Sequence, residues 1–217
     1  MNLSTMILDW FFPPRCAFCR RLVEHGEIRV CESCKKDLPY THNDGEQRKD
    51  FVKSCVAPFY YEKTVRKSLL RFKFGNTPGY AEAYGPFVAA SVKRLLEGEW
   101  DVLSWVPVSR KRLRERGYDQ AELICRAVAS SLETEAVPLL RKRRHTKAQS
   151  ATGSAEKRRA NIAGAYEMLP GVDVKGKRIL LIDDIITTGS TISECARTLG
   201  IAGADSVYCA TVARQRD

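Results

Sequence analysis

Apolar positions change period several times along this chain, and each change predicts an element. Ile179-Leu180-Leu181-Ile182 is a continuous apolar run, too short for a helix and typical of a strand buried on both faces. Beyond the small residues Thr187 to Thr191 the period becomes helical, with Ile192, Cys195, Ala196 and Leu199 on one face and a stop at Gly200. Thr191, three residues before Glu194, reads as a capping box. Upstream, 56–61 and 101–106 read as strands. Residues 64–74 read as a basic helix with Val65, Leu69 and Phe72 inward, and 81–96 as a helix with Val88, Val92, Leu95 and Leu96 on one face. Asp119 with Glu122 opens a helix over 120–132, and 136–140, 165–169 and 206–212 supply further strands. Strands alternating with helices predict an α/β fold with a parallel sheet.

The remaining stretches carry weaker patterns. Residues 3–12 form a short amphipathic helix ended by Pro13-Pro14, expected to pack on its own domain rather than on a partner. Residues 41–50 are polar without an apolar period and read as a linker. The expected division is therefore an N-terminal helix and knuckle over 1–50 and a catalytic-type domain over 51–217. Residues 141–161 are basic and poor in apolar groups, as in a long functional loop. Such a loop suits a flap over an anion, and equally a strip for single-stranded nucleic acid.

Charge narrows the partners. With 36 basic and 26 acidic residues the net charge is +10, which favours phosphate-rich partners, nucleotide or nucleic acid. No run approaches the roughly 18 apolar residues of a membrane span, and no basic stretch precedes an apolar one at the N-terminus. A cytoplasmic location is expected, and with it thiols or metal ligands in place of disulfides.

Three motifs carry chemistry. Cys16-Ala-Phe-Cys19 and Cys31-Glu-Ser-Cys34 give the spacing of a closed, four-thiolate structural zinc site, with 28–30 as one strand of a small hairpin between the pairs. The other cysteines, Cys55, Cys125, Cys195 and Cys209, lie among apolar residues and read as buried free thiols. The second motif is Asp183-Asp184 at the end of the apolar run, followed by Thr187-Thr188-Gly189-Ser190-Thr191. Backbone N–H groups and hydroxyls in that turn suit a phosphate, with Gly189 allowing a close approach; the carboxylates suit a sugar diol or a cation beside it. Together they describe a ribose 5-phosphate. The third is Val108-Ser109-Arg110-Lys111, which opens a run where six of seven residues from Arg110 to Arg116 are charged and five are basic. It reads as a loop leaving the carboxyl end of a strand, either a solvated turn or part of a ligand site.

The stretch 179–191 is similar to the 5-phosphoribosyl pyrophosphate (PRPP) motif of the type I phosphoribosyltransferases. In combination with the four-cysteine knuckle, Arg71-Phe-Lys-Phe-Gly75, Val106-Pro-Val108, the stretch Arg112 to Gln120, and Arg158 with Asn161, the chain resembles the ComF family. That resemblance implies a type I phosphoribosyltransferase-like parallel sheet flanked by helices, with a small N-terminal zinc-binding hood built on the four cysteines. It implies PRPP bound by Asp183, Asp184 and residues 187–191, with Asp183 and Asp184 as the catalytic pair. It further implies pyrophosphate at Val108 to Lys111, Mg²⁺ accompanying PRPP, and structural Zn²⁺. A link to uptake of single-stranded DNA in natural competence, with a helicase-like competence protein as partner, follows from the same resemblance. An active salvage phosphoribosyltransferase without a DNA role is the alternative, and a non-catalytic PRPP-binding protein is another. Two departures stand out. Only Cys55 remains where many relatives carry a second pair of knuckles, which predicts a smaller hood, and Asp119 replaces a common Asn.

Overall fold

The computed structural model describes residues 13–23, 29–143 and 162–216. The amphipathic pattern at 3–12, the first residue of the strand expected at 28–30, and most of the basic loop lie outside these. Among the described residues, β1 (Gln47–Lys49), β2 (Val52–Val56), β3 (Phe59–Tyr60), β4 (Val102–Trp105), β7 (Arg178–Ile186) and β8 (Ser206–Arg214) form one sheet in the order β1-β2-β8-β7-β4, with β3 also on β8. All pairings are parallel except β1 with β2. β5 (Leu140–Lys142) and β6 (Tyr166–Met168) make a separate antiparallel pair. The α-helices among the described residues are α1 (Glu32–Asp37), α2 (Lys63–Phe74), α3 (Tyr80–Leu95), α4 (Arg110–Arg116), α5 (Gln120–Ser131) and α6 (Ser190–Ile201), with a short 3-10 turn at His42–Gly45.

β7 is central and buried on both faces, as its apolar run requires. Leu180 and Ile182 enter one core with α2, α3 and α5, while Ile179 and Leu181 enter a second core beneath α6. Side chains alternate across a strand, so one four-residue run serves both layers.

Several expectations change. Residues 47–49 are an edge strand rather than a linker, joined to β2 through a tight turn. The charged run 110–116 is a helix, not a loop: Ser109 caps it by accepting the Arg112 N–H at 3.4 Å, and Gly117 ends it at φ 79°. Its Arg, Lys, Glu and Leu residues are good helix formers once capped. Ala136 makes only an isolated bridge to Leu103, and the strand begins at Leu140. α6 passes through Gly200.

The knuckle is seated on the α/β core. Phe18 packs edge-on against Phe59, Tyr84 and Phe87, with ring centroids 5.8, 5.8 and 6.3 Å away. From α2, Ser68 donates to the Ala17 carbonyl at 2.6 Å, and Arg71 donates to the Ala17 and Phe18 carbonyls at 3.0 and 2.7 Å.

Candidate active site and zinc knuckle

The parallel strands β4 and β7 both end on the side where Asp183 and Asp184 stand, half-buried. Asp183 accepts the Asp184 N–H through Oδ1 at 2.8 Å. Burial, and then the neighbouring Asp184 charge, hold the Asp183 carboxyl above the ordinary carboxylate range. Asp184 takes Lys73 Nζ, from the last turn of α2, at 2.8 Å. The 71–75 motif thereby divides its labour. Arg71 grips the knuckle, Phe72 is buried, Lys73 meets Asp184, and Gly75 ends the helix where a Cβ would strike the Arg71 carbonyl at 2.8 Å. Phe74 is left 72% exposed beside the site, with the Arg116 guanidinium 5.3 Å from its ring centre.

The turn after β7 carries Gly189 at φ 80°, directly before α6. Thr188 and Ser190 hydroxyls lie 2.9 Å apart. The expected capping box is absent. Gly189 is the N-cap, Thr191 lies inside the helix, and Glu194 accepts the Gly164 N–H at 2.6 Å and pairs with Arg197 at 2.7 Å. The space beside Gly189 is filled by a side chain, since the Lys49 stem lies 2.8 Å from where a Cβ would stand.

On the β4 side, Asp119 ties two elements together. Its Oδ2 accepts the Val108 N–H at 2.9 Å, and its Oδ1 caps α5 through the N–H groups of Ala121 and Glu122 at 3.1 and 3.3 Å. Glu122 completes no reciprocal box and pairs with Arg126. Burial pushes the Asp119 carboxyl up to about 6 despite those three donors. Ser109 is buried, whereas Arg110 and Lys111 project into solvent from the first turn of α4. Arg116 is half-buried; burial lowers its pKa while the Asp184 charge opposes that shift. Sequence reasoning placed Asp119 at the start of α5, where it caps the helix, but missed its hold on Val108, and it missed Lys73, Arg116 and Lys49, because each of these contacts joins separate segments.

The four knuckle sulfurs lie within 4.8 Å of one another, and Cys19 and Cys31 Sγ are 3.5 Å apart. A tetrahedral zinc with bonds of about 2.3 Å needs sulfur separations of about 3.8 Å, so the donor set fits. Cys55, Cys125, Cys195 and Cys209 are buried free thiols.

Residues 119–217 match the model of the phosphoribosyl transferase domain, and residues 7–44 that of the double zinc ribbon domain. Competence protein ComFC of Streptococcus pneumoniae is 30% identical over 202 residues, covering 92% of this chain and 87% of that protein. The DNA utilization protein YhgH of Escherichia coli K12 is 32% identical over 221 residues, covering 90% and 94% respectively. Among solved structures, the glutamine PRPP amidotransferase of B. subtilis has a TM-score of 0.43 at 21% identity, covering 64% of this chain and 30% of that one. The chain belongs to the ComF family. It combines a type I phosphoribosyltransferase-like α/β fold, in which the edge strand β1 makes the sheet mixed, with a zinc-ribbon cysteine cluster. Among the described residues of this ComF chain, no helix is long and apolar enough to cross a membrane.

Proposed function

We propose that this ComF chain binds PRPP at the carboxyl end of β7 and serves the handling of single-stranded DNA during competence. The observation that carries the PRPP reading is the adjacency of Asp183 and Asp184 to a left-handed glycine turn and the start of α6, at the end of a central parallel strand. Ligands of open α/β sheets bind at that end. Thr187, Thr188, Gly189, Ser190 and Thr191 would hold the 5-phosphate, with the carboxylates on the ribose diol. Val108, Ser109, Arg110 and Lys111 would face the pyrophosphate. Two adjacent carboxylates also fit a partly hydrated Mg²⁺, which would offset pyrophosphate charge when bound.

In such a reaction Asp183 and Asp184 orient the ribose and oppose the positive charge that develops at C1′ as its bond to pyrophosphate breaks. Lys73 fixes the rotamer of Asp184, and Asp119 fixes the backbone at Val108. Enzyme and PRPP-binding scaffold are the two forms this reading takes. The DNA role is supported by the competence and DNA utilization names of the relatives and by the net charge. A helicase-like competence protein is the partner we infer, and the cytoplasm the compartment. The chain is then read as a zinc-bearing part, 1–50, seated on a phosphoribosyltransferase-like part, 51–217.

Isothermal titration with PRPP and Mg²⁺ tests the reading: saturable binding lost in Asp184→Asn is expected, and absence of binding by the wild type overturns it. A screen for pyrophosphate release across nucleobases separates enzyme from scaffold, and release with one base alone would favour the salvage reading. DNA binding should fall steeply with salt and persist in Asp183→Asn.

A further inference from the structure

The turn that carries Cys16 and Cys19 is gripped by a charged side chain of the α/β core. Arg71, in the last turn of α2, donates to the carbonyls of Ala17 and Phe18, the residues between those cysteines, at 3.0 and 2.7 Å. The Ala17 N–H is held in turn by the carbonyl of Arg29, just before Cys31, at 2.8 Å. The orientation of the Ala17 peptide therefore depends on how the two cysteine pairs are drawn together, which a bound metal fixes. Among the described residues no carboxylate pairs with Arg71, and its Nε is buried without a hydrogen-bond partner. A guanidinium keeps its charge when withdrawn from water, so it needs acceptors. Those two carbonyls are its acceptors, and they stay in place only while the knuckle keeps its shape.

Two residues further along α2, Lys73 meets Asp184 at 2.8 Å. That spacing is about 200° of helix rotation, so a single turn faces the knuckle with Arg71 and the twin carboxylates with Lys73. Phe72 lies wholly buried between them. Tyr118 holds the Phe72 carbonyl through its hydroxyl, and that contact becomes a pivot once Arg71 lets go. A movement of about 1 Å at the Lys73 ammonium takes the ion pair out of hydrogen-bond range. Ser68 donates to the same Ala17 carbonyl at 2.6 Å from one turn earlier, and its loss leaves the Arg71 contacts in place.

We propose that Arg71 is a positioning residue through which the zinc knuckle sets the Lys73–Asp184 contact, and with it the affinity of the twin-carboxylate site for PRPP. The affinity half rests on the PRPP reading; the positioning half does not. The test uses the full chain loaded with zinc and an amine-acylating reagent. Labelling of Lys73 is read by mass spectrometry against Lys67, exposed on the same helix. Lys73 is expected to be protected in the wild type and to approach the Lys67 rate in Arg71→Met, with zinc retained by elemental analysis. Arg71→Lys, which still reaches one carbonyl, should fall between the two, and Ser68→Ala should stay near wild type. Zinc removal by a chelator should expose Lys73 as Arg71→Met does. Isothermal titration should show PRPP binding weakened by about tenfold in Arg71→Met. The positioning half is overturned if Lys73 stays protected in Arg71→Met, or if Ser68→Ala exposes it equally, which would make the knuckle a structural support only. Exposure of Lys73 with unchanged PRPP affinity overturns the affinity half. If Lys73 responds but the wild type takes up no PRPP, the PRPP reading falls and the affinity half with it, while the positioning half stands.

Discussion

Lys73 Nζ stands 2.8 Å from Asp184 Oδ2, joining the end of α2 to the end of β7 with both side chains largely withdrawn from water. Each charge there would be costly alone, so removing one leaves the other uncompensated. Lys73→Met is therefore expected to destabilise the fold by about 1–3 kcal/mol, near the low end because neither group is fully buried. For a chain of this size that corresponds to a fall in melting temperature of roughly 2–10 °C. Lys73→Met/Asp184→Asn should lose clearly less than the sum of the single variants. Additive losses in a double-mutant cycle by calorimetry would show the ion pair to be idle.

Asp119 predicts a pH effect. Its carboxyl is pushed up to about 6 by burial, against about 4 for an unfolded chain, so the folded state holds the proton more tightly. A raised acid contributes stability that is fully present below the unfolded value and is lost as pH rises through the folded one. Relative to Asp119→Asn, the wild type should lose about 2 kcal/mol between pH 4.5 and 7.5. Asn caps a helix as well as Asp, but its amide must turn a donor toward either the Val108 N–H or the α5 N–H groups. Urea midpoints of both proteins across that range give the measurement; a pH-independent difference would mean that Asp119 stays ionised throughout.

What could be read in advance follows from how local each signal is. The β7 run and the α6 period are consecutive residues answering to buried surroundings, so strand, turn and helix were legible at 179–199. Four cysteines at ribbon spacing were legible for the same reason. The strand at 47–49 was not, because three polar residues on a sheet edge show no alternation. The helix at 110–116 carried a signal that was passed over, a serine cap and a terminal glycine bracketing its seven residues. Lys73 against Asp184 and Lys49 against Gly189 join distant segments, and no periodicity encodes them.

The zinc knuckle should matter beyond its own residues. Phe18 is 2% exposed between Phe59, Tyr84 and Phe87, and the carbonyls beside it are held by Ser68 and Arg71. Metal removal frees those groups together, and α2 also carries Lys73. Cys31→Ser or a strong chelator should release one zinc per chain by elemental analysis and lower the melting temperature markedly. Phe18→Ala, with zinc retained, should cost about 3–5 kcal/mol by opening the aromatic cluster. If metal-free protein melts like the holo form, the knuckle is an ornament on a self-sufficient core.

Two glycines make a final contrast. Gly85, in mid-α3, lies where a Cβ would meet the Ala127 side chain at 2.6 Å and its carbonyl carbon at 2.7 Å, so it sets how closely α3 and α5 approach. Backbone cannot swing aside, and Gly85→Ala should cost about 2 kcal/mol or more by prying the helices apart. Gly189 meets instead the flexible stem of Lys49 at 2.8 Å, and its φ of 80° is a separate burden for any other residue. Gly189→Ala should therefore cost about 1–2 kcal/mol, from backbone strain and from the contact together. In a Lys49→Ala background the contact share disappears while the strain remains, so the cost should shrink without vanishing. Denaturant titrations of the four combinations decide it: an undiminished cost would place the whole effect in the backbone, and a vanished one would place it in the lysine.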